Sequence, residues 1–258
     1  MMKRLMNLAV LAMMSMTLMS CMSVSIGNGG VDKTPSQVKQ INEVTSMQPF
    51  DVVDIANAFK VVYEQGAAPS VRIEASEQAL KEMTVYVKDG ELRIRPSVKN
   101  PTVSFKNVKV YVTSPEIKRI EMAGSGLFAA EKPITASNDL DIELAGSGNV
   151  MLVAATCKDA VFELAGSGII EIGSLTTDEA KAEIAGSGDV NLGKMDCREF
   201  RIQIAGSGNV NCDNITADKV HSEIAGSGNV NLKGTVKEPT QEVMGSGKVN
   251  IIAPATIQ

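Results

Sequence analysis

Tryptophan is absent, and three Tyr with six Phe bring aromatics to only 3% of the chain. A core built around large rings is therefore excluded, and aliphatic side chains must supply most of the buried surface. Histidine occurs once, as His221, and cysteine four times, at positions 21, 157, 197 and 212. Basic residues are in the minority, at 25 against 30 acidic, for a net charge of -5. Setting aside Lys3 and Arg4 of the first segment leaves 23 basic residues and a net charge near -7. An acidic balance of that size makes nucleic acid a poor partner. No apolar run is long enough to span a bilayer: the longest, Leu5 to Leu18, is 14 residues.

What the chain has is a repeat. Ala-Gly-Ser-Gly occurs six times and Met-Gly-Ser-Gly once. The first glycines are Gly124, Gly146, Gly166, Gly186, Gly206, Gly226 and Gly245, spaced 22, 20, 20, 20, 20 and 19 residues apart. A near-constant period of this length marks a solenoid. Within one repeat, Asp141-Ile142-Glu143-Leu144 precedes Ala145-Gly146-Ser147-Gly148, and Asn149-Val150-Met151-Leu152 follows. Apolar and polar residues alternate on both sides of the tetrapeptide, the mark of half-buried strands. The glycines supply the backbone freedom of a sharp corner. Twenty residues leave no room for a crossover helix, so each strand pairs in parallel with its counterpart one repeat on. The expected fold is all-β: a right-handed parallel β-helix, the hand following the general rule for parallel connections. At about 4.8 Å per rung, six intervals give a stack roughly 29 Å long.

Stacking turns sequence positions into columns. Leu144, Leu164, Ile184, Ile204, Ile224 and Val243 form one internal column; Val150, Ile170, Val190, Val210, Val230 and Val249 form a second. Leu152, Ile172, Leu192, Cys212, Leu232 and Ile251 form a third, and Leu175, Met195 and Ile215 continue the core on the return side. Cys157 and Cys197 share a column two rungs apart, with Thr177 between them. Two rungs, about 9.6 Å, exceed what a disulfide tolerates, so the three repeat cysteines are expected to be small buried hydrophobes. No metal site is expected from them, because His221 lies in a different, outward column. No cofactor and no catalytic residue is indicated.

Four segments are expected. Residues 1–20 read as a lipoprotein signal peptide, with a basic start, an apolar stretch and Leu18-Met19-Ser20 before Cys21. Lipidation of Cys21 would anchor the chain to a membrane without a spanning helix. Residues 21–46 form a flexible tether, glycine-rich at Gly27-Asn28-Gly29-Gly30. Residues 47–120 are strand-rich but lack the tetrapeptide; Asp89-Gly90 suggests a hairpin turn, and Ser76 to Lys81 a helical turn. This region would cap the solenoid or merge into its first coils. Residues 121–258 carry the β-helix, with the strand breaker Pro254 just past the last core position.

Two outward columns are candidate surfaces. Glu121, Glu143, Glu163, Glu183, Gln203, Glu223 and Glu242 form one. Adjacent solvated carboxylates at rung spacing repel by about 1 kcal/mol. Either they bind cations or act as an interaction ladder, or Lys181, Arg201 and His221, two residues before three of them, neutralise the strand face. Asn149, Asp189, Asn209 and Asn229, with Asn191, Asn211, Asn231 and Asn250, form the other, suited to amide ladders or a polar strip for glycan. The repeats have no Trp or Tyr to serve as a sugar platform. Gly-Ser-Gly is no phosphate loop, since it lacks the lysine and the helix. Nor is it a calcium β-roll, since an acid follows it only at Asp189.

Phe50 and Val53, Phe59-Lys60-Val61-Val62 with Gly66, Asp89-Gly90 with Leu92 and Ile94, and Val110-Tyr111-Val112 running into Glu121-Met122-Ala123-Gly124-Ser125-Gly126 together resemble the auto-transporter adhesin head GIN domain family of Bacteroidetes. The resemblance covers residues 48 to 250 and implies a β-rich envelope protein with no catalytic residues to carry over. Three functions compete. The first is a non-enzymatic envelope lipoprotein of the outer membrane that adheres to a protein or glycan. The second is a periplasmic scaffold or sensor partner. The third is a polysaccharide-active β-helix enzyme, which would need a cluster of Asp, Lys or Arg on long loops. The first acid after Cys21 is Asp32, too distant for a surface-export signal of the Bacteroidetes kind, which leans toward a periplasm-facing anchor.

Overall fold

A computed structural model describes residues 40–44 and 47–253. The expected signal peptide, Cys21, most of the tether and Pro254 lie outside the described residues. The amino-terminal elements are β1 (Gln40–Val44), β2 (Val52–Ala56), β3 (Lys60–Gln65), β4 (Ser70–Ala75), α1 (Glu77–Lys81), β5 (Met83–Lys88), β6 (Glu91–Pro96) and β7 (Lys109–Ser114). Then follow β8 (Arg119–Gly124), β9 (Leu127–Ala130), β10 (Ile134–Thr135), β11 (Leu140–Gly146), β12 (Asn149–Leu152), β13 (Ala155–Thr156), β14 (Asp159–Gly166), β15 (Ile169–Thr176) and β16 (Glu179–Gly186). The last coils are continuous strands that bend at the corners: β17 (Asp189–Gly206), β18 (Asn209–Gly226), β19 (Asn229–Gly245) and β20 (Lys248–Ile252). The whole is a β-solenoid of about seven turns, about 20 residues apart.

The register is the one the repeat dictates. Glu143 pairs with Glu163 and Gly146 with Gly166; Gln203 pairs with Glu223 and Gly206 with Gly226. The internal columns are buried: Leu144, Leu164, Ile184, Ile204 and Ile224 are all at most 2% exposed. Val243, which continues that column, is 39% exposed, because among the described residues no strand covers that part of the last rung. All six phenylalanines are also buried, so rings are scarce but none is spent on the surface. Phe162 and Phe200 lie in adjacent inward columns beside Ala160, Ala180 and Ala182. Large rings next to methyl groups keep the core volume constant from rung to rung.

The parallel stack already includes β2 and β3, which pair in parallel with β8 and β9. Their corner contains no Gly-Ser-Gly. Asn57 takes its place at φ 99, in a region Asn tolerates better than most residues, and its Oδ1 accepts a hydrogen bond from the Ala58 N–H (2.8 Å). Antiparallel strands then close the amino-terminal end: β5 on β6, β4 on β7 and β1 on β4. Asp89 and Gly90 both have positive φ in the β5–β6 turn, and Ser76 caps α1 by accepting from Ala79 N–H. Phe59 against Phe105 (4.7 Å) and Tyr63 against Phe128 (5.8 Å) fill the interior beneath this cap.

Candidate functional site

The glycine of each tetrapeptide decides the shape of one face. Gly146 to Gly226 sit at φ between 121 and 137°, closed to other L-residues, and turn the chain abruptly after an outward Ala. The outward Glu and the Ala two residues later thereby line a groove of about 670 Å³ that runs from Asp54 to Glu242 and Met244. Its floor is the alanine column from Ala123 to Ala225, and Glu121, Glu143, Glu163, Glu183, Glu223 and Glu242 form its acidic wall. Gln203 interrupts the run. Every residue of the predicted carboxylate column is thus brought to one groove. The alanine column beside it was not singled out from sequence, although it recurs with the same period.

The charges along the wall are partly neutralised. Lys181 pairs with Glu183 (2.5 Å) and His221 Nε2 with Glu223 (2.7 Å). Arg201 pairs with Glu199 instead of facing Gln203. Arg119 bridges Glu121 (3.4 Å), Asp141 (3.2 Å) and Glu143 (3.6 Å). His221 holds the Glu223 carboxyl below its ordinary range. Glu143 is raised, first by burial and then by the neighbouring Glu121 charge, with Arg119 acting against both. Glu163 and Glu242 have no ion pair among the described residues.

At the amino-terminal end of the groove, Asp54, Glu91 and Glu121 bring carboxylate oxygens within 4.8 Å of one another. Three guanidiniums match them: Arg95 pairs with Asp54, Arg93 with Glu91 and Arg119 with Glu121. The cluster is therefore balanced by its own side chains. Burial still raises Asp54 above the usual carboxylate range, against the pull of Arg95.

The asparagine columns are ladders. Asn211 Nδ2 donates to Asn191 Oδ1 (2.9 Å), Asn231 to Asn211 (2.9 Å) and Asn250 to Asn231 (2.8 Å). Asn209 and Asn229 continue a second ladder from Asp189. Their amides are engaged with each other, as stacked strands favour. Cys157, Cys197 and Cys212 are free and buried. Burial raises all three thiols, Cys197 to about 12 and Cys212 to about 11. Among the described residues no helix is long and apolar enough to cross a membrane.

The comparisons with known proteins agree with this architecture. A putative adhesin from Bacteroides fragilis superposes with a TM-score of 0.75 at 22% identity, over 84% of this chain and 99% of that one. A putative lipid binding protein from Parabacteroides distasonis gives 0.67 at 24% identity, over 83% and 96%. A putative adhesin from Parabacteroides merdae gives 0.68 at 22% identity, over 83% and 96%. At these identities the likeness concerns the fold. No curated protein matches the chain. The family described as "putative auto-transporter adhesin, head GIN domain" matches residues 49–212 and again 193–255. With nearly every described residue inside those two matches, the chain belongs to the head GIN domain family.

Proposed function

We propose that this protein is a non-catalytic adhesion module of the cell envelope, lipid-anchored through Cys21, that uses its acid-walled groove as the contact surface. One observation carries the reading: the groove runs uninterrupted along the stacked rungs, from Asp54 to Met244. A surface this long and regular suits an extended partner better than a small substrate. Charge favours a partner with amines or other cationic groups facing the glutamate column.

The chemistry of the lining supports a binding role. Its side chains are carboxylates, one amide and aliphatic groups. Neighbouring carboxylates at rung spacing approach the separation used by retaining glycosidases, about 5 Å. Such a pair, however, must flank the bond it cleaves, and these line one wall. The polysaccharide-active reading also called for long loops interrupting the repeat, and the corners from Gly146 to Gly226 keep one register.

Protease shaving tests the location. Digestion of the protein on intact cells supports surface adhesion and directs the next step to glycan and matrix arrays. Protection until lysis would remove the adhesin reading and leave the periplasmic scaffold, to be pursued by cross-linking.

A further inference from the structure

From Glu143 onward the wall of the groove alternates. Glu143, Glu183 and Glu223 are half-buried, and each has a cation of its own: Arg119, Lys181 and His221. The residues on the rungs between and after them, Glu163, Gln203 and Glu242, are exposed and have no ion pair among the described residues. The cause lies two positions earlier on the same outward face. Lys181 and His221 precede paired glutamates, whereas Val161 and Thr240, which precede Glu163 and Glu242, carry no charge. Arg201 precedes Gln203 and pairs with Glu199. Gln203 donates its Nε2 to Glu223 (3.0 Å), which leaves its Oε1 to accept. The open oxygens of the wall therefore recur on every second rung. They stand about 9.6 Å apart and span about 19 Å from Glu163 to Glu242.

That spacing discriminates among cationic chains. On a β-strand, side chains of one face recur about every 6.7 Å and fall out of step within two rungs. Two turns of an α-helix rise about 10.8 Å, a drift of about 2.4 Å over four rungs. A polyproline II helix has three residues per turn and a rise of about 3.1 Å, so every third side chain returns to one face after about 9.3 Å. Its drift over four rungs is about 0.6 Å, which a flexible lysine stem absorbs. The other side chains of each turn find Ala165, Ala185, Ala205 and Ala225, an exposed apolar floor with nothing larger than a methyl group.

We propose, taking the groove as the contact surface, that its occupant is a polyproline II peptide segment with a basic residue at every third position. Three successive basic side chains face Glu163, Gln203 and Glu242, and proline or another small apolar residue lies on the alanine floor. Such a segment is already extended before it binds, which lowers the ordering cost. The self-paired rungs fix the register. A segment displaced by one rung sets its cations beside Lys181 and His221, so the same wall that attracts in one register repels in the next.

The test uses three labelled probes on the full chain at low salt, read by fluorescence anisotropy: a peptide of three Lys-Pro-Ala repeats, a peptide of the same composition with its lysines consecutive, and a glucosamine trimer of the same charge. The repeat peptide should bind about fivefold more tightly than the other two, the sum of two or three exposed ion pairs. Glu163→Gln with Glu242→Gln should weaken it by about three- to tenfold, and Gln203→Glu should tighten it by about two- to fivefold. Val161→Lys gives Glu163 a partner of its own and should also weaken binding; the next rung already carries Lys181 at that position, and a far-UV spectrum checks the fold. Glu171→Gln, an exposed acid outside the groove, should change nothing. Equal binding of the two peptides, tighter binding of the trimer, or no gain from Gln203→Glu would overturn the proposal and leave the groove a contact surface for another cation. Binding of the repeat peptide that ignores every groove substitution would overturn both. No binding of any probe would overturn the proposal alone, since other ligands could still lose binding when the wall is neutralised.

Discussion

Gly206→Ala tests the corner on which the groove depends. Gly206 has φ +134, and a Cβ built there would lie 2.2 Å from the backbone oxygen of Gly186 one rung away. That oxygen accepts hydrogen bonds from Ser207 N–H (2.8 Å) and Gly208 N–H (3.1 Å). It cannot retreat as a flexible side chain would. Backbone strain of about 1–3 kcal/mol, together with two weakened hydrogen bonds of about 1 kcal/mol each, predicts a loss of about 4 kcal/mol. Gly90→Ala is the matched control. Its φ is +80, but the nearest atom to a new Cβ is Asp51 Oδ1 at 3.9 Å, so only the conformational cost of about 1 kcal/mol remains. Urea unfolding followed by far-UV circular dichroism reads both. If Gly206→Ala shifts the midpoint no more than Gly90→Ala, the corner is not held by close stacking of backbones.

Other outcomes follow from the same geometry. Asn211→Ala removes the middle of an amide ladder and leaves the Asn231 Nδ2 group unpaired, so thermal denaturation should show a loss of about 1–2 kcal/mol. Glu143→Gln should stabilise the protein at neutral pH. The native Glu143 carboxyl is raised, so its unfavourable contribution develops as pH rises through the unfolded and then the folded value, and the gain should vanish in acid. Glu223 has the opposite sign: its carboxyl is lowered by His221, its contribution is present above the unfolded value and is lost as pH falls, and Glu223→Gln should narrow the acid side of the stability profile. In a Cys21→Ser chain, Cys157, Cys197 and Cys212 should resist a thiol reagent at pH 8 until urea is added; rapid native labelling would contradict their burial.

The repeat made the solenoid legible because stacking forces equivalent residues into columns, so Ile184, Ile204 and Ile224 announced both the core and the register. The first coil was less legible, since Asn57 replaces glycine at its corner and no tetrapeptide marks it. The glutamate column was visible as a period, but the groove was not. Its depth depends on the angle at which each glycine turns the chain, and that angle is a property of the stacked backbone. Pairing along the wall was partly foreseeable: Lys181 and His221 reach their glutamates, whereas Arg201, two residues before the neutral Gln203, pairs with Glu199 on its own strand.

Binding by a version of the groove with four of its six wall glutamates neutralised is the most direct test of its role. The full chain and a variant carrying Glu143→Gln, Glu163→Gln, Glu183→Gln and Glu223→Gln would be compared on one array of glycans, matrix proteins and cationic polymers, with far-UV spectra confirming that both fold. The account predicts that ligands bound by the unsubstituted chain, the cationic ones first, are lost by the variant. An unchanged binding profile in a folded variant would contradict it.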